Sequence, residues 1–136
     1  MQLNTHLSFN GQCRAAFNFY QQCLGGTIQT MMTYGETPMA DQVAPDWRDK
    51  VIHATLVVGD QALMGADAPP EHFHEPKGFA VTIQLKDKAE GERIFRLLSE
   101  GGAVTMPFQQ TFWSAGFGML IDRFGIPWMI NTERSA

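Results

Sequence analysis

The sequence predicts an α+β fold built from two consecutive βαβββ modules, and three of its features carry that prediction. Two stretches of helical periodicity, one in each half of the chain, both end on a glycine pair. Segments with period-two alternation flank each helix in the same order. Between the two sets lies DAPPEHFHEPKG (Asp67 to Gly78), dense in proline and glycine.

The elements follow in order. A strand is expected over LNTHLSF (Leu3 to Phe9), then a helix with Asn10 as its N-cap. Its apolar stripe is Cys13, Ala16, Phe17, Tyr20 and Leu24, and Gly25-Gly26 stops it. Strands follow over TIQTMMTY, KVIHATLVV and QALMGAD, ending at Asp67. The second module opens with FAVTIQL (Phe79 to Leu85) and a helix after Asp87. That helix has Ile94, Phe95, Leu97 and Leu98 as its stripe and Gly101-Gly102 as its stop. Strands over AVTMPFQQTFW, FGMLIDR and PWMIN complete it. One helix for every four strands gives a sheet covered on one face, not a doubly wound parallel sheet. Two such sheets leave their other faces to line a curved cleft, the expected ligand site.

The totals agree with a single domain of 136 residues, its modules spanning about 1–68 and 78–136. Hydrophobic residues at 44% and charged residues at 18% fit a soluble globular chain. Net charge is −4 with Lys and Arg scattered singly, so no nucleic-acid or membrane-surface partner is expected. No apolar run approaches the roughly 20 residues that span a bilayer. The start, MQLNTHLSF, lacks the features of a signal peptide. Cys13 and Cys23 share a helix and would lie roughly 15 Å apart at the α-helical rise, too far to bridge. Free thiols without a leader predict a cytoplasmic protein.

Several residues have side chains suited to chemistry. His6 alternates with Asn4 and Ser8, and His53 with Thr55; each is either a hydrogen-bonded sheet histidine or a cleft-facing acid, base or anchor. His72 and His74 have an H-x-H spacing within the linker and are expected to be solvated there. Asp67, Glu71 and Glu75 are expected to be surface charge in the same loop. Cys13 lies on the apolar stripe and reads as a buried, inert thiol.

Three blocks point to a family. LSFNGQCRAAFNFY with LGG, DKVIHATLVVGDQALMGADAPP, and VTMPFQQTFWSAGFGMLIDRFGIPWMIN together resemble the PhnB-like branch of the vicinal oxygen chelate superfamily. That superfamily includes glyoxalase I, extradiol dioxygenases and bleomycin-resistance proteins. The resemblance implies the tandem βαβββ fold, a homodimer, and a divalent metal held by His, Gln or Glu on the first, fourth, fifth and eighth strands. A gap-free alignment puts Thr5, Met64, Ala80 and Met129 at or near those places, none of them a ligand for a hard ion. No cofactor is therefore expected, and a metal only through a rebuilt site with His6 and His53.

The branch also bears a methyltransferase label. A methyltransferase of the common kind needs a glycine-rich strand-to-helix turn for its donor, whereas the glycine pairs here stop helices. A SAM methyltransferase is excluded on that ground. The resemblance then implies a metal-free small-molecule-binding protein with an aromatic cleft. Phe112, Trp113, Phe117 and Trp128 supply the rings, Gln110, His53 and His6 the polar groups, and Met129 replaces the lost carboxylate. Phe112 and Trp113, as strand neighbours, are expected on opposite sides. The alternative is a metal-dependent lyase, isomerase or dioxygenase acting on a vicinal-oxygen substrate. Whether any catalysis occurs stays open at this level, as does a vestigial cleft filled by Met and Trp side chains.

Overall fold

A computed structural model describes residues 1–134. The chain divides into two compact units between His74 and Glu75. In the first, β1 (Thr5–Phe9), α1 (Cys13–Leu24), β2 (Thr27–Thr33), β3 (Val51–Val58) and β4 (Gln61–Asp67) form a sheet ordered β1-β4-β3-β2. In the second, β5 (Val81–Leu85), α2 (Lys88–Ser99), β6 (Ala103–Gln109), β7 (Ser114–Ile121) and β8 (Pro127–Glu133) repeat the plan as β5-β8-β7-β6. In each sheet one pair is parallel, β1 with β4 and β5 with β8, and the others are antiparallel.

Each helix buries one stripe against one sheet face. On α1 the buried residues are Cys13, Ala16, Phe17, Tyr20 and Cys23, so Cys23 takes the place expected of Leu24. On α2 they are Gly91, Ile94, Phe95 and Leu98. Phe17 meets Phe9 of β1 edge-on, with ring centroids 6.2 Å apart. Two glycines make room for these rings. A Cβ on Gly65 would stand 2.6 Å from the Phe17 ring, and one on Gly118 2.6 Å from the Phe95 ring.

The start of α1 differs from expectation. Its N-cap is Gln12, not Asn10, and Gln12 makes no capping bond with its side chain. The carboxylate of Asp67 does the work instead: Oδ1 accepts from the backbone N–H of Gly11 and of Cys13, both at 2.9 Å. Oδ2 accepts from Val51 N at 2.9 Å, at the start of β3. Asp67 is therefore buried at 1% exposure rather than solvated surface charge. Parallel pairing of β4 with β1 sets Asp67 opposite Phe9, where the chain turns into α1. The second helix has the N-cap expected of it: Asp87 Oδ1 accepts from Ala89 N and Glu90 N.

The strand expected to run through Trp113 stops at Gln109. A turn follows, held by Thr111 Oγ1, which accepts from Trp113 N at 3.3 Å and Ser114 N at 3.1 Å. Hydroxyls of this kind compete with ladder hydrogen bonds and end strands. Phe112 and Trp113 consequently belong to a turn, and their rings meet edge-on at 4.8 Å instead of parting across a strand.

Candidate functional site

In each unit the sheet face turned away from the helix carries side chains in rows fixed by register. In the first unit, Leu7 and Phe9 are buried on the helix side, so His6 and Ser8 occupy the open face. Thr5 shares the helix side with Leu7. His6, and not the Thr5 that the gap-free alignment implies, therefore stands on the open face of β1. His6 pairs with Met64 of β4, which pairs with Thr55 of β3. Two residues along β3 on the same face, His53 pairs with Met32 of β2.

His53 Nε2 and Thr55 Oγ1 are 3.2 Å apart. The ring of His6 is held below the usual imidazole pKa, first by desolvation and then by the charge of His53. Two histidines from different strands therefore sense each other across one face, and His6 favours its neutral form. Neutral imidazole is the form that accepts a proton or binds a metal.

In the second unit the open face holds two rows. Gln84, Asn131, Phe117 and Gln109 pair in succession across β5, β8, β7 and β6. Beside them Thr82, Met129, Met119 and Met106 do the same, so three thioethers adjoin one another. Trp113 reaches Phe117 edge-on at 5.4 Å and carries Phe112 beyond it. Trp113 is 47% exposed and Phe112 82% exposed. Gln110 is exposed in the turn after β6. Asn131 Oδ1 is buried and meets no donor.

Trp128 does not belong with these rings. It is 1% exposed on the helix side, and its Nε1 donates to Asp122 Oδ2 at 2.8 Å. Asp122 Oδ1 also accepts from Phe124 N and Ile126 N, fixing the β7–β8 turn in which Gly125 takes φ +90°. A groove of about 380 Å³ between α2 and β6 runs over Phe95 and Phe108, which lie on the helix side away from both rows.

In the first unit β1 and β4 present His6 and Met64 on their open face; in the second, β5 and β8 present Thr82 and Met129, and Ala80 precedes β5. Neither pair, an imidazole with a thioether or a hydroxyl with a thioether, suits a hard divalent ion, which takes carboxylates and imidazoles. Among the described residues, no three of His, Cys, Asp and Glu are grouped to hold a metal. His72 and His74 are exposed in the linker. Cys13 is buried, and its thiol pKa is raised above the usual value by desolvation and the nearby Asp67 carboxylate, with Arg14 opposing.

Sequence reading missed Asn131, Gln84 and the methionines at 106 and 119. Met129 comes from the family alignment; period-two alternation extended from it marks Asn131 two residues on and would have found it.

The family described as 3-demethylubiquinone-9 3-methyltransferase matches residues 1–131. Protein YjdN of Escherichia coli K12 is 34% identical, over 98% of this chain and 97% of its own. The crystal structure of PA1353 from Pseudomonas aeruginosa is 46% identical over 99% of each chain, with a TM-score of 0.91. A Bacillus cereus protein described as a putative 3-demethylubiquinone-9 3-methyltransferase, PhnB protein, is 26% identical, over 97% of this chain and 99% of its own, with a TM-score of 0.81. Two glyoxalase/bleomycin resistance/dioxygenase structures, 13% and 14% identical with TM-scores of 0.66 and 0.65, share the fold. No helix among the described residues is long and apolar enough to cross a membrane.

Proposed function

This chain belongs to the PhnB-like family described as 3-demethylubiquinone-9 3-methyltransferase, within the glyoxalase/bleomycin resistance/dioxygenase superfamily, and on that footing we propose that it binds a small molecule through aromatic and thioether contact, without a divalent metal. The observation that carries this reading is the edge-to-face set of exposed Phe112 and Trp113 with half-buried Phe117, beside a row of three methionines. Aromatic faces and polarisable thioethers accept planar apolar ligands, and the unbranched methionines adapt to their outline. The proposal assigns binding, not turnover. Methyl transfer from a nucleotide-like donor is left out, because an aspartate carboxylate, Asp67 or Asp87, already stands at the start of each helix where a donor's anionic group would sit. The proposed protein is cytoplasmic, supported by two buried free thiols, and homodimeric, supported by the exposed apolar side chains.

Calorimetric titration with a panel of planar aromatic compounds, alongside aliphatic diols, tests the reading. Trp113→Ala is expected to weaken aromatic binding about tenfold, the worth of a good ring contact. A panel without any aromatic binder would count against it.

A second reading, a metal-dependent lyase, isomerase or dioxygenase, draws on His6 and His53 sharing one open face. Elemental analysis of untagged protein separates the two. Stoichiometric divalent metal that disappears in His53→Ala would favour the second and sink the first.

A further inference from the structure

The row Gln84–Asn131–Phe117–Gln109 crosses the open face of the second unit with an aromatic ring set among three amides. Phe117 is half-buried on the open face, and Trp113 stands edge-on to it at an interplanar angle of 67°. A flat ring laid over Phe117 and against Trp113 would bring its edge to Asn131, the direct cross-strand partner of Phe117.

Asn131 has an unusual condition. Its Oδ1 is closed to water and meets no donor, although an acceptor buried in this way costs roughly 1–3 kcal/mol. Half a turn about the last side-chain bond exchanges oxygen and nitrogen, and no hydrogen bond to the oxygen opposes that motion. The amide is thus free to present its carbonyl to a ligand. Phe117 and Met129 beside it offer no hydrogen bond, and Gln84, its partner on β5, is exposed.

We propose that this row is a subsite for a planar aromatic ligand bearing an N–H or O–H donor on its edge, with the Asn131 carbonyl as the orienting acceptor. The inference rests on the binding reading above and narrows it: shape and stacking admit the ring, and Asn131 selects among rings of equal shape. A site built to pair a donor discriminates against isosteres that lack one, because the amide is then left unpaired.

Indole and benzofuran have the same outline and differ in the N–H donor, so titration with both tests the inference. The wild-type protein is expected to bind indole about tenfold more tightly than benzofuran. Asn131→Leu should abolish that preference, with a cooperative urea unfolding transition showing that the variant is folded. Asn131→Asp, which keeps an acceptor, should retain the preference. Equal affinities in the wild type, or a preference that survives in Asn131→Leu, would overturn the inference. If both compounds bind equally and Trp113→Ala weakens both, the aromatic reading stands and only the role of Asn131 falls. Binding of neither compound overturns the inference, and the wider panel then decides the reading beneath it.

Discussion

Asp122 Oδ2 accepts the indole N–H of Trp128 at 2.8 Å, and both residues are at most 3% exposed. The pair ties the β7–β8 turn to the core and takes the largest buried side chain of the protein out of contention as a ligand contact.

Trp128→Phe keeps the ring and removes the donor. Stability should fall by about 1–3 kcal/mol in urea unfolding, with aromatic-ligand affinity unchanged. Loss of binding at unchanged stability would return Trp128 to the site.

Asp67 holds together three places that are distant along the chain. Its carboxylate serves Gly11 and Cys13, 56 and 54 residues away, and Val51, 16 residues away. Asp67→Ala strands three N–H groups, those of Cys13 and Val51 buried and that of Gly11 part-buried, and should cost roughly 3 kcal/mol or more. Amide hydrogen exchange should quicken first at Gly11, Cys13 and Val51. Exchange unchanged at those three sites would mean that other groups satisfy them.

Cys13 should resist alkylation. Burial and the Asp67 carboxylate both disfavour its thiolate, and the thiolate is the reactive form. Iodoacetamide at pH 8 should leave Cys13 unmodified in the native protein and label it in urea, as read by mass spectrometry. Fast native labelling would contradict the buried position.

His6 supplies a pH dependence with a definite sign. Its folded pKa lies below the usual imidazole value of 6.5, so the unfolded chain takes up a proton first as pH falls. Stability from this group is therefore full above pH 6.5 and declines as pH drops from 6.5 toward the folded pKa. His6→Gln should flatten that part of the stability profile. In an NMR titration, His53→Gln should raise the His6 pKa only partway, since burial is the larger cause. A wild-type His6 titrating at or above 6.5 would contradict the shared face.

Gly118→Ala should destabilise by about 1–3 kcal/mol, because its methyl would meet the Phe95 ring at 2.6 Å. Adding Phe95→Leu should recover part of the loss in thermal unfolding. A neutral Gly118→Ala would show that the ring has room to shift.

The local elements were legible because their causes are local. The glycine stops, the apolar stripes and the alternation along β1, β3 and β8 depend on neighbours within a few residues. Thus the order βαβββ, twice, follows from spacing alone, whereas the place of Met129 rests on the family resemblance. The end of β6 did not: Thr111 competes for backbone N–H groups, and alternation across FQQTFW gives no sign of it.

By itself the sequence determined two modules, their helices and strands, and the family they resemble. Only the tertiary structure decided which residues meet. Period two divides a strand into two faces without saying which one the helix covers, so Thr5 and His6 could exchange roles until Leu7 and Phe9 were seen beneath α1. Parallel pairing of β1 with β4 carried Asp67 from an apparent surface loop to the buried start of a helix. Pairing of β7 with β8 set Asn131 against Phe117 and sent Trp128 into the core. Hydrogen-bond ladders fix those neighbours across long stretches of chain, and no spacing within a single strand encodes which strand will lie beside it.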